Sequence, residues 1–151
     1  MTEMTIVKGL QSEVNVPLSP EPVWTPVEKE LQEMKVAFVT AAGVHRKQDK
    51  KFNLAGDHTF REIPDDTPAS DLMVTHGGYD NADANKDINC MFPLDRLHEL
   101  AEEGFIKESA PTHFGFMGGG GDQVKLKEET GPEIVDIIKN EGVDAVVLTA
   151  G

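Results

Sequence analysis

Two stretches of the sequence are nearly alike, and they decide the fold: residues 35–43, KVAFVTAAG, and residues 145–151, AVVLTAG. Each is a short apolar run rich in β-branched residues, and each passes through threonine and alanine to a glycine. Runs that are apolar throughout predict strands buried on both faces, as in a parallel sheet. We therefore expect two buried parallel strands that leave the sheet at the same edge.

Further strand and helix patterns lie between these two stretches. Residues 70–76 (SDLMVTH) and 113–117 (HFGFM) predict strands, and residues 60–64 (FREIP) predict a short edge strand. Residues 93–104 predict a helix from leucines at helical spacing, and residues 130–142 predict another, with Thr130 and Glu133 at capping-box spacing. Strands that alternate with helices indicate an α/β protein with an open, mainly parallel sheet flanked by helices.

The first 33 residues differ from the rest because they are rich in proline. Four prolines surround Trp24: Pro17, Pro20, Pro22 and Pro26. Proline fixes φ and removes a hydrogen-bond donor, so residues 1–33 predict an extended N-terminal arm, followed by an α/β domain over residues 34–151. The arm is either a loose tail or a segment that lies on a partner through Trp24, and a lone exposed tryptophan favours the partner.

Charge and cysteine content narrow the class of protein. The 151 residues include 27 acidic and 14 basic side chains, a net charge of −13, so we expect no nucleic-acid and no membrane partner. No apolar run is long enough to cross a bilayer, and no signal peptide is evident. Cys90 is the single cysteine, which suits a cytoplasmic location, and its apolar neighbours predict a buried packing role rather than a nucleophile.

The predicted strands end alike, and this points to a site. Glycine follows all four, at Gly43, Gly77 and Gly78, Gly118 to Gly121, and Gly151, and threonine precedes three of these exits, at Thr40, Thr75 and Thr149. In an open parallel sheet such exits share one edge, where ligands bind. His45, Arg46 and His76 follow the first two exits and become candidate functional residues. The alternative is that the glycines only permit turns and the polar residues form a solvated rim.

Other motifs fail on spacing. The glycine run at residues 118–121 lacks the GK[ST] of a phosphate loop, and the Asp/Asn-rich segment from Asp83 has Ile88 and Leu94 where a calcium loop needs glycine and glutamate. The five histidines show no paired-ligand spacing, so we expect no metal site.

Four long segments carry a resemblance: residues 34–45 (MKVAFVTAAGVH), 71–106 (DLMVTHGGYDNADANKDINCMFPLDRLHELAEEGFI), 113–118 (HFGFMG) and 141–151 (EGVDAVVLTAG). Together they resemble the selenoprotein B family of clostridial glycine, sarcosine, betaine and proline reductases, and the short arm is most similar to the D-proline reductase branch. In that family the last strand leads into a selenocysteine. The resemblance therefore implies a selenocysteine directly after Gly151 and an α/β domain cut short at that point.

The resemblance also implies an activity, partners and residue roles. D-proline is opened reductively to 5-aminovalerate by a selenolate nucleophile, with a pyruvoyl group on a partner subunit and an external dithiol or electron-transfer reductant. This chain itself carries no cofactor and is expected to be inactive alone. His45 and His76 become candidates for proton delivery. The candidate substrate-binding residues are Arg46, Gly118, Gly119, Gly120, Gly121, Thr149 and Gly151.

Two other functions stay open at this point. One is the glycine, sarcosine or betaine specificity of the same family. The other is a non-catalytic scaffold module that holds an anionic metabolite through its glycine-rich rim. The codon after that of Gly151 separates them, since TGA followed by coding sequence supports the selenoprotein and TAA supports the scaffold.

Overall fold

A computed structural model describes residues 25–119 and 122–150. Most of the predicted arm, residues 1–24, lies outside the described residues, as do Gly120, Gly121 and Gly151. The rest of the arm, residues 25–33, is exposed and ends in a 3₁₀ turn, Leu31–Glu33. Lys29 ties this part of the arm to the domain, because its Nζ lies 2.6 Å from Asp144 Oδ1.

The main sheet is built around strand β1, Lys35–Thr40. Strand β7, Ala145–Thr149, pairs with it in parallel along its length, from Val36 opposite Ala145 to Thr40 opposite Thr149. Two short strands, β5 (Glu108–Ser109) and β6 (Thr112–Phe116), pair in parallel with its other edge. Strand β3, Phe60–Pro64, closes the sheet antiparallel to β6. The predicted mainly parallel sheet is confirmed.

Residues 70–76 do not join this sheet, so their predicted position is wrong. Strand β4, Leu72–Val74, pairs antiparallel with β2, Val44–Arg46, in a separate two-stranded sheet. The cause lies just after β1. Gly43 has a φ of +77°, and the carbonyl oxygen of Thr75 lies 2.4 Å from where a Cβ would be. This glycine turns the chain out of the main sheet and allows β4 to pack directly against the turn.

Helices flank the sheet, as predicted. Helix α1 is Leu94–Glu102, after a 3₁₀ turn at Ile88–Cys90, and a further 3₁₀ turn, Ala69–Asp71, precedes β4. The second helical region is continuous: α2 (Gln123–Lys125), a π-helical segment (Leu126–Thr130) and α3 (Gly131–Asn140). The predicted capping box at Thr130 is wrong, because the helical region begins earlier, at Gln123, and its N-cap is Asp122, whose carboxylate accepts from the Val124 and Lys125 amides.

Two apolar clusters fix the helices on opposite faces of the sheet. Phe38 packs with Phe92, Leu94 and Leu97 on the α1 side, whereas Val39 packs with Ile134 of α3. The alternation follows from the pleat, which directs successive side chains of a strand to opposite faces. No helix in the described ranges is long and apolar enough to cross a membrane.

Strand β7 is more exposed than its apolar sequence predicts. Val147 is 42% exposed and Leu148 is 76% exposed, because within the described residues β7 pairs only with β1 and forms the edge of the sheet. An apolar groove of about 310 Å³ separates β7 from α3 and includes Ile134, Val146 and Leu148. The expectation of a fully buried last strand is therefore wrong.

Replacing Leu148 with lysine is expected to change the free energy of unfolding by no more than about 0.5 kcal/mol, as is usual for an exposed side chain. The same substitution at Ile134, which is only 6% exposed, is expected to cost several times more, because a buried ammonium group loses its hydration. Urea unfolding of both variants measures the difference. Equal destabilisation would show that Leu148 is buried in solution.

Candidate functional site

Three strand exits of the main sheet meet at its carboxyl edge. The Ala41 amide, just after β1, donates to the Thr149 carbonyl at the end of β7 over 2.9 Å. The Gly118 amide, after β6, donates to the Ala41 carbonyl over 2.8 Å. Thr149 is also fixed through its side chain, because its Oγ1 donates to the Met91 carbonyl over 2.9 Å. The carboxyl edge thus has a rigid backbone framework at the end of β7.

His76 reaches this edge although β4 belongs to the other sheet. Its Nε2 lies 2.6 Å from the Gly118 carbonyl, and the Gly78 amide donates to its Nδ1 over 2.9 Å. An amide can only donate and a carbonyl can only accept, so the ring is neutral and carries its proton on Nε2. His76 therefore holds a proton at the edge, but delivers it elsewhere only by releasing the bond to Gly118.

His45 is fully buried instead of lying on the edge. Its Nδ1 lies 2.7 Å from the Arg46 carbonyl, and its Nε2 lies 2.8 Å from Thr75 Oγ1. Burial lowers the pKa of this imidazole, and the nearby carbonyl only partly opposes the effect. His45 therefore links β2 to Thr75, at the exit of β4. Thr75 directly precedes His76 in the sequence.

Arg46 already has a carboxylate partner. Its Nη2 lies 2.9 Å from Asp49 Oδ1, and its Nε lies 3.2 Å from both carboxylate oxygens. It lines a polar surface cleft of about 530 Å³ together with Arg61 and Glu133. The structure thus places Arg46 in a different setting from His76 and Thr149.

The glycines after β6 differ in what they can offer a ligand. The Gly118 amide is used by Ala41, so it is not free to bind a carboxylate. A Cβ on Gly118 would lie 2.9 Å from the Ala41 Cβ, so glycine is needed for the close approach of these two segments. Gly119 is exposed with a φ of +66°. Gly120, Gly121 and Gly151 lie outside the described residues.

Tyr79 also lies at this edge, although no sequence pattern singled it out as a candidate residue. Its hydroxyl donates to the Ala42 carbonyl over 2.8 Å, and its ring centroid lies 4.8 Å from that of His76. An aromatic residue directly after two glycines and a histidine was the available signal for Tyr79.

Cys90 is exposed, contrary to the predicted burial, because only Ile88 of its 3₁₀ turn is buried.

A second polar cluster forms near the start of β1, around Asp65. Its Oδ1 accepts from His98 Nε2 over 2.8 Å, from Ser109 Oγ over 2.6 Å and from His113 Nε2 over 2.9 Å. Serine, histidine and aspartate suggest a catalytic triad, but the geometry excludes it. His113 Nδ1 accepts from the Phe38 amide, so Ser109 and Asp65 both lie on the Nε2 side of the ring. The cluster is structural.

Metal binding has no support in the part of the chain that the structure describes. There, no group of three or more histidine, cysteine, aspartate or glutamate side chains is arranged to hold a metal ion.

Comparison with known proteins identifies the relatives of the chain. It is 68% identical over 151 residues to D-proline reductase subunit gamma of Acetoanaerobium sticklandii, covering 100% of this chain and 62% of that protein. It is 34% identical over 130 residues to sarcosine reductase complex component B subunit beta of Peptoclostridium acidaminophilum, covering 83% of this chain and 30% of that protein.

A third relative is glycine reductase complex component B subunit gamma of Carboxydothermus hydrogenoformans, 32% identical over 132 residues, with 83% of this chain and 30% of that protein covered. The chain thus spans less than two thirds of the length of these relatives. No solved structure matches it. Residues 7–151 match the family described as glycine/sarcosine/betaine reductase selenoprotein B, and the chain belongs to that family.

Proposed function

We propose that the chain acts within a D-proline reductase, as part of the subunit that supplies the selenolate nucleophile for reductive opening of D-proline to 5-aminovalerate. The 68% identity to D-proline reductase subunit gamma over the whole chain supports this assignment most strongly. The glycine and sarcosine reductase relatives match at 32% and 34%, so their specificities are the second candidate.

The end of β7 is the proposed position of the nucleophile. We place a selenocysteine after Gly151; the family's description as a selenoprotein supports a selenocysteine in the protein, and its position here is part of the proposal. A selenol is more acidic than a thiol, so it is ionised and nucleophilic at neutral pH. Thr149, two residues before Gly151, is held in place by two hydrogen bonds. Its carbonyl accepts from the Ala41 amide, and its hydroxyl donates to the Met91 carbonyl. These bonds hold the last residues of β7 at the carboxyl edge.

His76 is the proposed proton donor to the leaving nitrogen. The Cα–N bond of the substrate breaks as the selenolate attacks Cα, and the nitrogen gains a proton. This role is supported by the position of His76, whose Nε2 contacts Gly118 at the same edge as Thr149. His45 is the second candidate, acting through Thr75. Gly119 and the two glycines after it remain candidates for binding the substrate carboxylate, and so does Arg46 if it releases Asp49.

We place the other groups that the reaction needs on partners of this chain. We propose a partner subunit whose pyruvoyl group binds the proline nitrogen and withdraws electrons from it. A thiol then attacks selenium in the Se–Cα adduct, so that the Se–Cα bond breaks, Cα gains a proton and 5-aminovalerate leaves. The Se–S bond that remains takes two electrons from an external dithiol or electron-transfer protein, which restores the selenol. The proposed location is the cytoplasm.

The chain ending at Gly151, mixed with the processed pyruvoyl subunit, D-proline and dithiothreitol, is expected to form no 5-aminovalerate. The single cysteine, Cys90, lies between β4 and α1 and not at the end of β7. Its thiol therefore does not replace selenium at the exit of β7. Extending the chain through its downstream sequence with selenocysteine is expected to give activity, and cysteine at that position is expected to give much less, because a thiol is less ionised. 5-Aminovalerate formation by the short chain would contradict the proposal.

The extended protein also separates the alternative functions. D-Proline, glycine, sarcosine and betaine are assayed in parallel, each with its own product. Turnover of one of the last three, without turnover of D-proline, would assign the second specificity. A TAA codon after that of Gly151 would instead support a non-catalytic scaffold.

A further inference from the structure

Tyr79 contacts two parts of the carboxyl edge, although the proposed reaction gives it no role. It is the only tyrosine in the chain. Its hydroxyl donates to the Ala42 carbonyl over 2.8 Å, just beyond β1. Its ring packs on the His76 imidazole, with centroids 4.8 Å apart and planes inclined by 37°. One side chain thus connects the exit of β1 to the proposed proton donor.

The phenol contact is with a rigid part of the backbone. Ala42 is fully buried, and the next residue, Gly43, donates its amide to the Phe116 carbonyl over 2.9 Å. The hydroxyl of Tyr79 therefore fixes its own turn to the framework of the main sheet. Burial raises the pKa of Tyr79, with a further contribution from nearby Cys90, so the phenol stays protonated and remains a donor at neutral pH.

The ring contact restricts the orientation of His76. The imidazole already has Gly78 at Nδ1 and Gly118 at Nε2. These two bonds fix the direction of the ring nitrogens, while the tilted phenol ring packs against the imidazole. Rotation about the side-chain torsions would break the stacking and both bonds together.

We infer that Tyr79 is a positioning residue for His76: its hydroxyl anchors the turn to β1 and its ring holds the imidazole with the Nε2 proton directed at the carboxyl edge. The contribution to catalysis rests on the proposed function, whereas the effect on the geometry of His76 does not. A role in stability alone predicts no change in the tautomer of His76 once a variant is folded.

The geometry is tested with the purified chain, by NMR of histidine labelled with ¹⁵N. In the wild-type chain, His76 is expected to show the Nε2–H tautomer and nuclear Overhauser contacts with the Tyr79 ring. Tyr79→Phe keeps the ring but loses the bond to Ala42, so it is expected to keep the ring contacts and to change the tautomer signals less than Tyr79→Leu. Tyr79→Leu is expected to give averaged signals from the two tautomers. Unchanged His76 signals in Tyr79→Leu, or no ring contacts in the wild type, would overturn the inference, and the latter needs no variant to fold.

Phe52 provides a matched control, because it packs edge-on against His45, with centroids 5.6 Å apart. Phe52→Leu also removes an aromatic ring beside a histidine and is expected to leave the His76 signals unchanged. In the complete reductase, Tyr79→Leu is expected to lower kcat about tenfold, with a smaller change in KM, and Tyr79→Phe, which loses only the bond to Ala42, is expected to fall between Tyr79→Leu and the wild type. Unchanged kcat in Tyr79→Leu would overturn the catalytic part. A wild-type reductase inactive on D-proline would instead refute the proposed function, leaving the NMR result valid.

Discussion

Replacing Gly115 with alanine is expected to prevent the chain from folding, or to lower its free energy of unfolding by about 3 kcal/mol or more. Gly115 lies within β6 and is buried. A Cβ at this position would lie 1.9 Å from the Val44 carbonyl oxygen and 2.9 Å from its carbonyl carbon. The obstructing atoms belong to the backbone, so no side-chain rotation relieves the overlap.

The overlap matters because it lies where the two sheets cross. Val44 begins β2 and pairs with Val74 of β4, while Gly115 pairs with Thr40 of β1 and Arg61 of β3. Moving β2 away from β6 therefore disturbs the pairing with β4. Since β4 leads directly to His76, the carboxyl edge is disturbed as well.

Gly142→Ala is the matched control for this substitution. A methyl group at Gly142 would meet nothing within 4 Å, but the residue has a φ of +68°, so alanine there costs only the backbone strain, about 1 kcal/mol. Circular dichroism and urea unfolding compare the two variants. A Gly115→Ala protein as stable as Gly142→Ala would show that the sheets do not cross this closely in solution.

The sequence predicted those parts of the fold that depend on local patterns. The apolar runs of β1 and β7, the leucine spacing of α1 and the isoleucine spacing of α3 all identify their elements correctly. The predicted position of β4 was wrong because an apolar run does not specify which strand it pairs with. That choice depends on the turn at Gly43 and on the crossing at Gly115, which bring together residues far apart in the chain.

In the candidate site too, the features that follow from local sequence patterns were predicted, and those that depend on contacts between distant residues were not. The glycine and threonine pattern correctly brought the exits of β1, β6 and β7 to one edge, since parallel strands require it. Burial of His45 and pairing of Arg46 with Asp49 were not predictable, because each depends on how β2 leaves the sheet. The exposure of Cys90 was also missed, since its apolar neighbours Met91 and Phe92 point inward while its own side chain does not.

Replacing Asp65 with asparagine is expected to lower the free energy of unfolding by about 2 kcal/mol at neutral pH, as for loss of hydrogen bonds to a charged group. The carboxylate accepts from Ser109, His98 and the fully buried His113. His113 has no alternative orientation, because its Nδ1 accepts from the Phe38 amide and its ring packs against both Phe38 and Phe92. Asparagine keeps an acceptor oxygen but loses the charge.

The same cluster determines a pH dependence. Burial alone would raise the pKa of Asp65, but the hydrogen bonds from His113, Ser109 and His98 outweigh it and hold this pKa well below its usual range. A carboxyl group whose pKa is lower in the folded than in the unfolded state stabilises the fold above its unfolded pKa, about 3.9. This stabilisation is lost progressively as the pH falls below about 4, when the unfolded chain binds a proton that the folded chain resists.

Urea unfolding of the wild type and Asp65→Asn at pH 7 and pH 3 tests both expectations. The wild type is expected to lose more stability than the variant between these values, so that the gap between them narrows in acid. Other groups, including His45 and Asp57, also have lowered pKa values, but they are common to both proteins and cancel in the difference. Asp66→Asn, an exposed neighbour, is the control and is expected to behave like the wild type. A gap that stays constant or widens in acid would show that Asp65 is not held ionised by this cluster.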